Sequence, residues 1–153
     1  MANAAPIAQD FAILAPVPKP ILDSAEQDAE TLVAFGSDKY AFWQNIPSDK
    51  FRVLIYESDR DDPLLAVPWE AIFEFWKDAL EARGNPDLAK CRPSAAADDW
   101  VGFDRNEWAI WWFCSGLRRL DPPIELRKLM TSRGKPLSPA FIPRGPELIL
   151  APG

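Results

Sequence analysis

The chain contains no histidine, and this absence limits the chemistry open to it. Histidine is the usual general base and the commonest metal ligand, and it activates most serine and cysteine nucleophiles. The composition therefore argues against serine and cysteine hydrolases, HExxH metalloproteases and zinc deaminases. The two cysteines, Cys91 and Cys114, lack the close spacing of zinc or redox motifs. No metal and no other cofactor is expected.

The charged side chains form no recognisable catalytic motif. Asp59, Asp61 and Asp62 lack the spacing of a calcium loop and suit a turn. Gly134 and Lys135 lack the upstream glycine of a phosphate-binding loop. A small-molecule hydrolase that uses lysine, aspartate or glutamate as its acid and base stays an open alternative.

Seven tryptophans make the composition unusual. Tryptophan fills protein cores, but it also forms cages for flat or cationic ligands and platforms for nucleobases. Trp43, Trp69 and Trp100 lie next to turns, where the wall of a pocket is expected. The stretch NEWAIWWFCSG, residues 106–116, alternates between two apolar faces, so it predicts a strand that is buried on both sides.

Charge is divided unequally along the chain. The net charge is −6, but residues 1–100 carry 9 basic and 18 acidic side chains, whereas residues 101–153 carry 8 basic and 5 acidic ones. The isoelectric point near 4.7 argues against nonspecific adhesion to DNA. If the basic side chains of the second segment share a face, they form a local patch. The candidate phosphate contacts in that segment are Arg118, Arg119, Arg133 and Lys135.

Short elements joined by turns must position these side chains, since the chain has sixteen prolines. Apolar runs predict strands, and two helical patterns are short. The predicted strands are FAILAPVP (11–18), TLVAFGS (31–37), FRVLIYES (51–58) and a last run at 148–150; the helical segments are DKYAFWQNI (38–46) and a turn over Ile124–Met130.

Other segments predict loops or are ambiguous. The cluster Pro16, Pro18 and Pro20 predicts a rigid loop, residues 81–99 predict a long loop, and Pro122 and Pro123 are expected to end the strand before them. Residues 64–80 fit either a strand or a helix, and their local spacing slightly favours the helix. Residues 1–10 are expected to be a flexible tail, and residues 11–153 a single domain.

Taken in order, these segments resemble the EVE domain and its PUA-like relatives, which include ASCH and YTH domains. The resemblance covers most of residues 11–150 and is carried by FAILAPVP, VAFGS with DKYAFWQNI, FRVLIYES with its acidic turn, PLLAVPWEAIF, and WAIWWFCSGLRRLDPPIELRKL. It implies an α+β fold, a small and mostly antiparallel PUA-like β-barrel with short helices packed outside. Residues 64–77 are a strand in that fold.

The same resemblance implies a function. Domains of this kind are non-enzymatic modules that recognise a modified nucleobase of DNA or RNA in an aromatic-lined pocket. Carried over by position, the pocket residues are Phe35, Gly36, Ser37, Tyr56, Ser58 and Trp69, with Trp43 and Trp100 as walls. The Gly, Lys, Glu and Arg spacing typical of ASCH domains is absent, so nuclease or amidohydrolase chemistry is not expected.

A second hypothesis is an acidic protein-interaction or inhibitory module from a mobile element. Its N-terminal two-thirds would contact a basic protein partner, and reversing the charges of Asp59, Asp61 and Asp62 would weaken that contact. No apolar run reaches the length of a membrane span, and the N-terminus lacks the features of a signal peptide. A cytoplasmic location without membrane binding is therefore expected.

Overall fold

Strands and short helices make up the fold in a computed structural model that describes residues 11–17, 19–28, 32–37, 40–46, 51–57, 66–91, 110–137 and 146–152. The strands are β1 (Phe11–Val17), β2 (Leu32–Ser37), β3 (Arg52–Glu57), β4 (Ala66–Asp78), β5 (Ile110–Glu125) and β6 (Glu147–Leu150). The helices are α1 (Lys19–Asp28), α2 (Tyr40–Gln44), α3 (Ala79–Gly84) and α4 (Pro86–Ala89), and a 3₁₀ turn follows β5 at Leu126–Lys128. The α+β class predicted from the sequence is confirmed.

The six strands form one mixed sheet in the order β2-β5-β4-β3-β1-β6. β1 and β3 are parallel, and the other neighbours are antiparallel. β2 and β6 stand at the two ends of this order, so the predicted barrel is wrong: the described sheet is not closed. The chain after β5 does return to the β6 edge, where Thr131 forms an isolated bridge with Ile149.

Within the described residues, which begin here at Ala66, β4 confirms the strand implied for residues 64–77 and overturns the local preference for a helix. It pairs with β5 from Ala66 to Asp78 and with β3 from Trp69 to Ile72. Its register shifts between Phe73 and Phe75, and both Phe73 and Trp76 pack against the same core. An irregular strand can therefore place side chains three residues apart on one face, which is the spacing expected of a helix.

Helices cover both faces of the sheet. Leu22 and Ala25 of α1 and Trp43 of α2 pack into one apolar core, and Ala82 of α3 packs with Trp111 and Phe113 on the opposite face of β5. None of the described helices is long and apolar enough to cross a membrane.

Two predicted loops contain helices. α1 begins at Lys19 within the proline cluster, because Pro20 falls in its first turn, where a missing N–H costs nothing. Residues 81–91 contain the end of α3 and all of α4, and each helix has a capping side chain. The Asp78 carboxylate accepts a hydrogen bond from the Glu81 N–H at 2.8 Å, and the Asn85 side chain accepts from the Asp87 N–H at 3.0 Å.

β5 is buried on both faces at its start, as the sequence predicts. Ile110, Trp112 and Cys114 belong to one core, and Trp111 and Phe113 to another. The prediction that Pro122 and Pro123 end this strand is wrong, because β5 continues to pair with β4 as far as Glu125. Residues 106–109 lie outside the described residues.

Candidate functional site

Two groups of side chains contain some of the predicted ligand contacts. The first group is an aromatic stack of Phe35, Trp43, Phe73 and Trp112. Trp43 stacks on Trp112 with ring centroids 5.1 Å apart and on Phe73 at 5.4 Å. Phe35 meets Trp112 at 5.0 Å with tilted rings. All four side chains are buried. The stack brings the predicted site residues Phe35 and Trp43 together, with Trp112 between them.

One polar atom within this stack is unsatisfied. The Trp43 Nε1–H is buried and has no hydrogen-bond partner in the described part of the protein. A buried donor without a partner costs about 1–3 kcal/mol. The free energy of ring stacking and apolar burial must offset that cost for α2 to stay on the sheet.

The second group lies where α1 passes over β4 and β5, and we call it the Arg119 cap: Trp69 and Arg119 with Glu57 and the α1 side chains Lys19, Asp23 and Glu26. Trp69 and Arg119 face each other across the β4–β5 ladder. The Arg119 guanidinium carbon lies 4.3 Å from the centroid of the Trp69 ring, a cation–π contact. Trp69 is fully buried, and its Nε1–H donates to the buried Glu57 carboxylate at 3.3 Å.

Carboxylates of α1 fix the position of the Arg119 guanidinium. Its Nε donates to Glu26 at 3.0 Å and its Nη2 to Asp23 at 3.1 Å, while the Lys19 ammonium donates to Asp23 at 2.6 Å. The Arg119 side chain is nevertheless 50% exposed. Counted with Glu57, the cap contains three carboxylates and two cations, so its formal charge is negative.

These hydrogen bonds stabilise the charged forms of Lys19, Asp23 and Arg119. The hydrogen bond to Asp23 raises the pKa of Lys19, and the same contact with Lys19 lowers the pKa of Asp23. A hydrogen bond to Glu26 raises the pKa of Arg119. A lysine whose pKa is raised holds its proton at neutral pH and cannot accept one, so Lys19 does not suit the role of general base. The arrangement suits binding by charge, hydrogen bonds and stacking.

The remaining residues of the predicted pocket do not lie together at one site. Gly36 and Ser37 pair with Trp111 and Ile110 at the end of β2. Tyr56 is buried in a different apolar cluster, with Leu14 and Ile149, and burial raises the pKa of its phenol. Ser58 and Trp100 lie outside the described residues.

The predicted phosphate contacts lie in different parts of the structure. Arg118 and Arg52 both form ion pairs with Glu70, which is buried, and we call these three residues the Glu70 triad. Arg133 and Lys135 are exposed in a turn beside β6, where the Thr131 Oγ1 accepts hydrogen bonds from both of their backbone N–H groups. Among the described residues, no ion pair involves Arg133 or Lys135.

Sequence reasoning missed most of the charged partners, namely Lys19, Asp23, Glu26, Arg52, Glu57 and Glu70. The i, i+4 spacing of Lys19 and Asp23 is a usable signal, but only once a helix is expected there. The described residues contain no group of three Cys, Asp or Glu side chains that could hold a metal ion. Asp59, Asp61 and Asp62, on which the test of the protein-partner hypothesis rests, fall outside the described ranges.

Comparisons with known proteins gave similarity only at the level of structure. No protein-family model and no curated protein matches the chain. Crystal structures of the ASCH protein from Zymomonas mobilis are similar to it: one has 14% sequence identity and a TM-score of 0.47, and covers 75% of this chain and 73% of that one. Two point variants of that protein give TM-scores of 0.49 and 0.48, at 10% and 12% identity. The first variant covers 75% of this chain and 76% of its own, and the second covers 88% and 85%.

The neighbouring structures are ASCH proteins rather than EVE domains. The EVE-like assignment made from the sequence stays a prediction.

Proposed function

We propose that the protein is a non-enzymatic nucleic-acid-binding module that holds a nucleobase at the Arg119 cap. The more specific form of this proposal is that the nucleobase is a modified one. The observation that carries this proposal is a half-exposed guanidinium fixed over a fully buried indole. Guanidinium planes stack on nucleobases, and such stacking strengthens binding whichever base is present. Trp69 and the α1 carboxylates hold the Arg119 group in one orientation, so little conformational entropy is lost when a base binds.

The charge of the cap favours a base over a phosphate at this position. Three carboxylates against two cations repel a phosphate, but carboxylate oxygens accept hydrogen bonds from the amino and imino groups of a base edge. Asp23 and Glu26 are partly exposed beside Arg119 and are the candidates for this contact. Arg119 thus acts in this proposal as a stacking surface and not as the phosphate contact suggested by the sequence.

Selectivity for a modified base is the finer part of the proposal. It rests on the resemblance and on the sequence position of Ser58, which directly follows Glu57, the acceptor of the Trp69 hydrogen bond. The aromatic stack supports this region from within the core, and Phe35 and Trp43 act through packing. Arg133 and Lys135 contact the phosphate backbone from their exposed turn.

Equilibrium binding to single-stranded oligonucleotides, with modified and unmodified bases at low salt, tests the function. Fluorescence anisotropy compares the natural protein with Arg119→Gln, Arg119→Lys and the control Arg127→Gln, which removes an exposed arginine paired with Glu125. Because stacking of a base contributes about 1–3 kcal/mol, Arg119→Gln is expected to weaken binding by about 5- to 150-fold.

The lysine variant separates stacking from simple charge. Arg119→Lys keeps the positive charge but loses the planar surface, so it is expected to bind nearly as weakly as Arg119→Gln. Thermal unfolding of each variant checks that α1 stays attached to the sheet. Equal failure of the natural protein to bind modified and unmodified oligonucleotides would sink the proposal, as would equal effects of Arg119→Gln and Arg127→Gln.

A further inference from the structure

The Glu70 triad is a second group of charged side chains, separate from the Arg119 cap. We propose that Arg52 and Arg118 bind a phosphate group, on the face of β4 opposite the Arg119 cap. The site deepens the proposed function and rests on it in one respect, the assignment of the phosphate to a nucleic-acid strand. The opposite placement follows from strand alternation, because Trp69 and Glu70 are consecutive residues of β4.

Glu70 orients both guanidiniums without using up their donors. Its Oε1 accepts from the Arg52 Nε at 2.9 Å, and its Oε2 pairs with the Arg118 Nη2. Each guanidinium carries five N–H donors, so each retains several after this contact. In the described part of the chain, neither arginine forms another ion pair, and the Arg118 side chain is 67% exposed. The free donors therefore lie at an accessible surface.

The charge of the triad suits an oxyanion. Two guanidiniums against one carboxylate leave a positive centre on a protein whose net charge is −6. Planar guanidiniums bind phosphate oxygens through paired hydrogen bonds, and two of them held by one anchor are arranged before the ligand arrives. Glu74, a further acidic side chain of β4, accepts a hydrogen bond from the Ser115 Oγ at 2.5 Å.

The position of Arg118 connects this site to the Arg119 cap. Arg118 and Arg119 are consecutive in β5, so their side chains point to opposite faces of the strand. The pairing of β5 with β2 ends at Ser115, and beyond it β5 pairs within the described residues with β4 alone. A single nucleic-acid strand that crosses this side of β5 can place a base on Arg119 and a phosphate on Arg118. A duplex, whose bases stay stacked in pairs, cannot do both.

Two ligands test the site, inorganic phosphate and a single-stranded oligonucleotide. NMR titration with inorganic phosphate is expected to shift the Arg52 and Arg118 side-chain signals of the natural protein, with at least a fivefold weaker response in Arg118→Gln and Arg52→Gln. Arg127→Gln is the matched control, and thermal unfolding checks the fold of each variant. For the oligonucleotide, Arg118→Gln is expected to reduce the slope of log K against log salt by about 0.7, the value for one lost phosphate contact on a single strand.

The outcomes separate this inference from the proposed function. If free nucleosides bind the natural protein but Arg118→Gln changes neither the phosphate titration nor the salt slope, the phosphate site is wrong and the base site stands. If phosphate binding is lost in Arg118→Gln while no nucleoside or oligonucleotide binds, the phosphate site stands and its nucleic-acid source is wrong. An equal effect of Arg118→Gln and Arg127→Gln on both ligands also overturns the site.

Discussion

Trp43 and Trp112 stack with their ring planes 17° apart, and this contact joins the short helix α2 to β5 of the sheet. Trp112 belongs to β5, and the same stack reaches β2 through Phe35 and β4 through Phe73. Four separate elements thus depend on one group of rings. The described part of the segment richest in tryptophan is therefore structural, and the candidate ligand contacts lie elsewhere, in the Arg119 cap and the Glu70 triad.

Trp112→Ala should destabilise the protein strongly. It removes a buried ring that contacts both Phe35 and Trp43, and such truncations of buried aromatics cost about 3–5 kcal/mol. Urea denaturation followed by circular dichroism measures the loss. Trp112→Phe keeps an aromatic ring in the stack and should lose clearly less; equal losses in the two variants would show that the stacking contact is unimportant.

Trp43→Phe and Trp69→Phe remove the same atoms from two fully buried side chains, but their effects should differ. At Trp43 the lost atoms include an N–H that has no partner among the described residues, so its removal relieves an unfavourable burial. Trp69 loses the N–H that donates to the buried Glu57 carboxylate. We expect Trp69→Phe to be less stable than Trp43→Phe by about 1–3 kcal/mol in urea denaturation. The reverse order would mean that the Trp43 donor has a partner in solution.

The strands formed by a short apolar run with a turn signal at its end could be predicted from the sequence. FAILAPVP, TLVAFGS and FRVLIYES each end at a turn signal and appear as β1, β2 and β3. The two apolar faces of residues 110–114 likewise follow from simple alternation. β4 is different, because its register shifts disturb the alternation and make local periodicity misleading. Only the order of segments along the chain, through the resemblance, indicated a strand there.

The charged contacts of the candidate sites were not predictable, because they depend on register and on which strands are neighbours. Glu70 meets Arg118 because β4 and β5 pair at that position, and it meets Arg52 across the β3 side. Arg52 and Glu70 are 18 residues apart, and Arg119 and Glu26 are 93 apart. No local pattern in the sequence encodes such contacts. The open sheet has the same cause, since strand order decides whether its two ends meet.

Gly116→Ala should destabilise the protein through backbone strain alone. Gly116 has φ of +65°, where a side chain is disfavoured, and an added Cβ would meet no atom within 4 Å. The expected loss is about 1–2 kcal/mol in urea denaturation. Gly84→Ala is the matched control, because Gly84 in α3 is equally uncrowded and has no positive φ. It should be neutral or stabilising by up to about 1 kcal/mol, and a loss equal to that of Gly116→Ala would contradict the strain argument.

Alkaline pH should destabilise the protein through Cys114. Burial raises the pKa of its thiol, which is fully enclosed in the core of β5. The raised pKa contributes its full stabilisation of the folded state at pH values below the unfolded thiol pKa of about 8.5. That stabilisation is lost as the pH rises above this value, because the thiol then ionises in the unfolded state but stays neutral in the folded state. The free energy of unfolding should fall above about pH 8.5 by at most about 1.4 kcal/mol per pH unit from this group.

Urea denaturation under reducing conditions, at intervals from pH 7 to pH 9.5, measures this slope. Cys114→Ala is expected to be less stable at every pH, because it leaves a cavity, but its stability should fall less steeply between pH 8 and pH 9.5. Cys91→Ala is the control for loss of a thiol: Cys91 is only partly buried, and although burial also raises the pKa of its thiol, its removal should change the slope less than Cys114→Ala does. Tyr56, whose pKa burial also raises, has an unfolded value near 10, so its contribution begins to be lost only above that window. Parallel pH profiles for Cys114→Ala and the natural protein would show that the thiol ionises equally in both states.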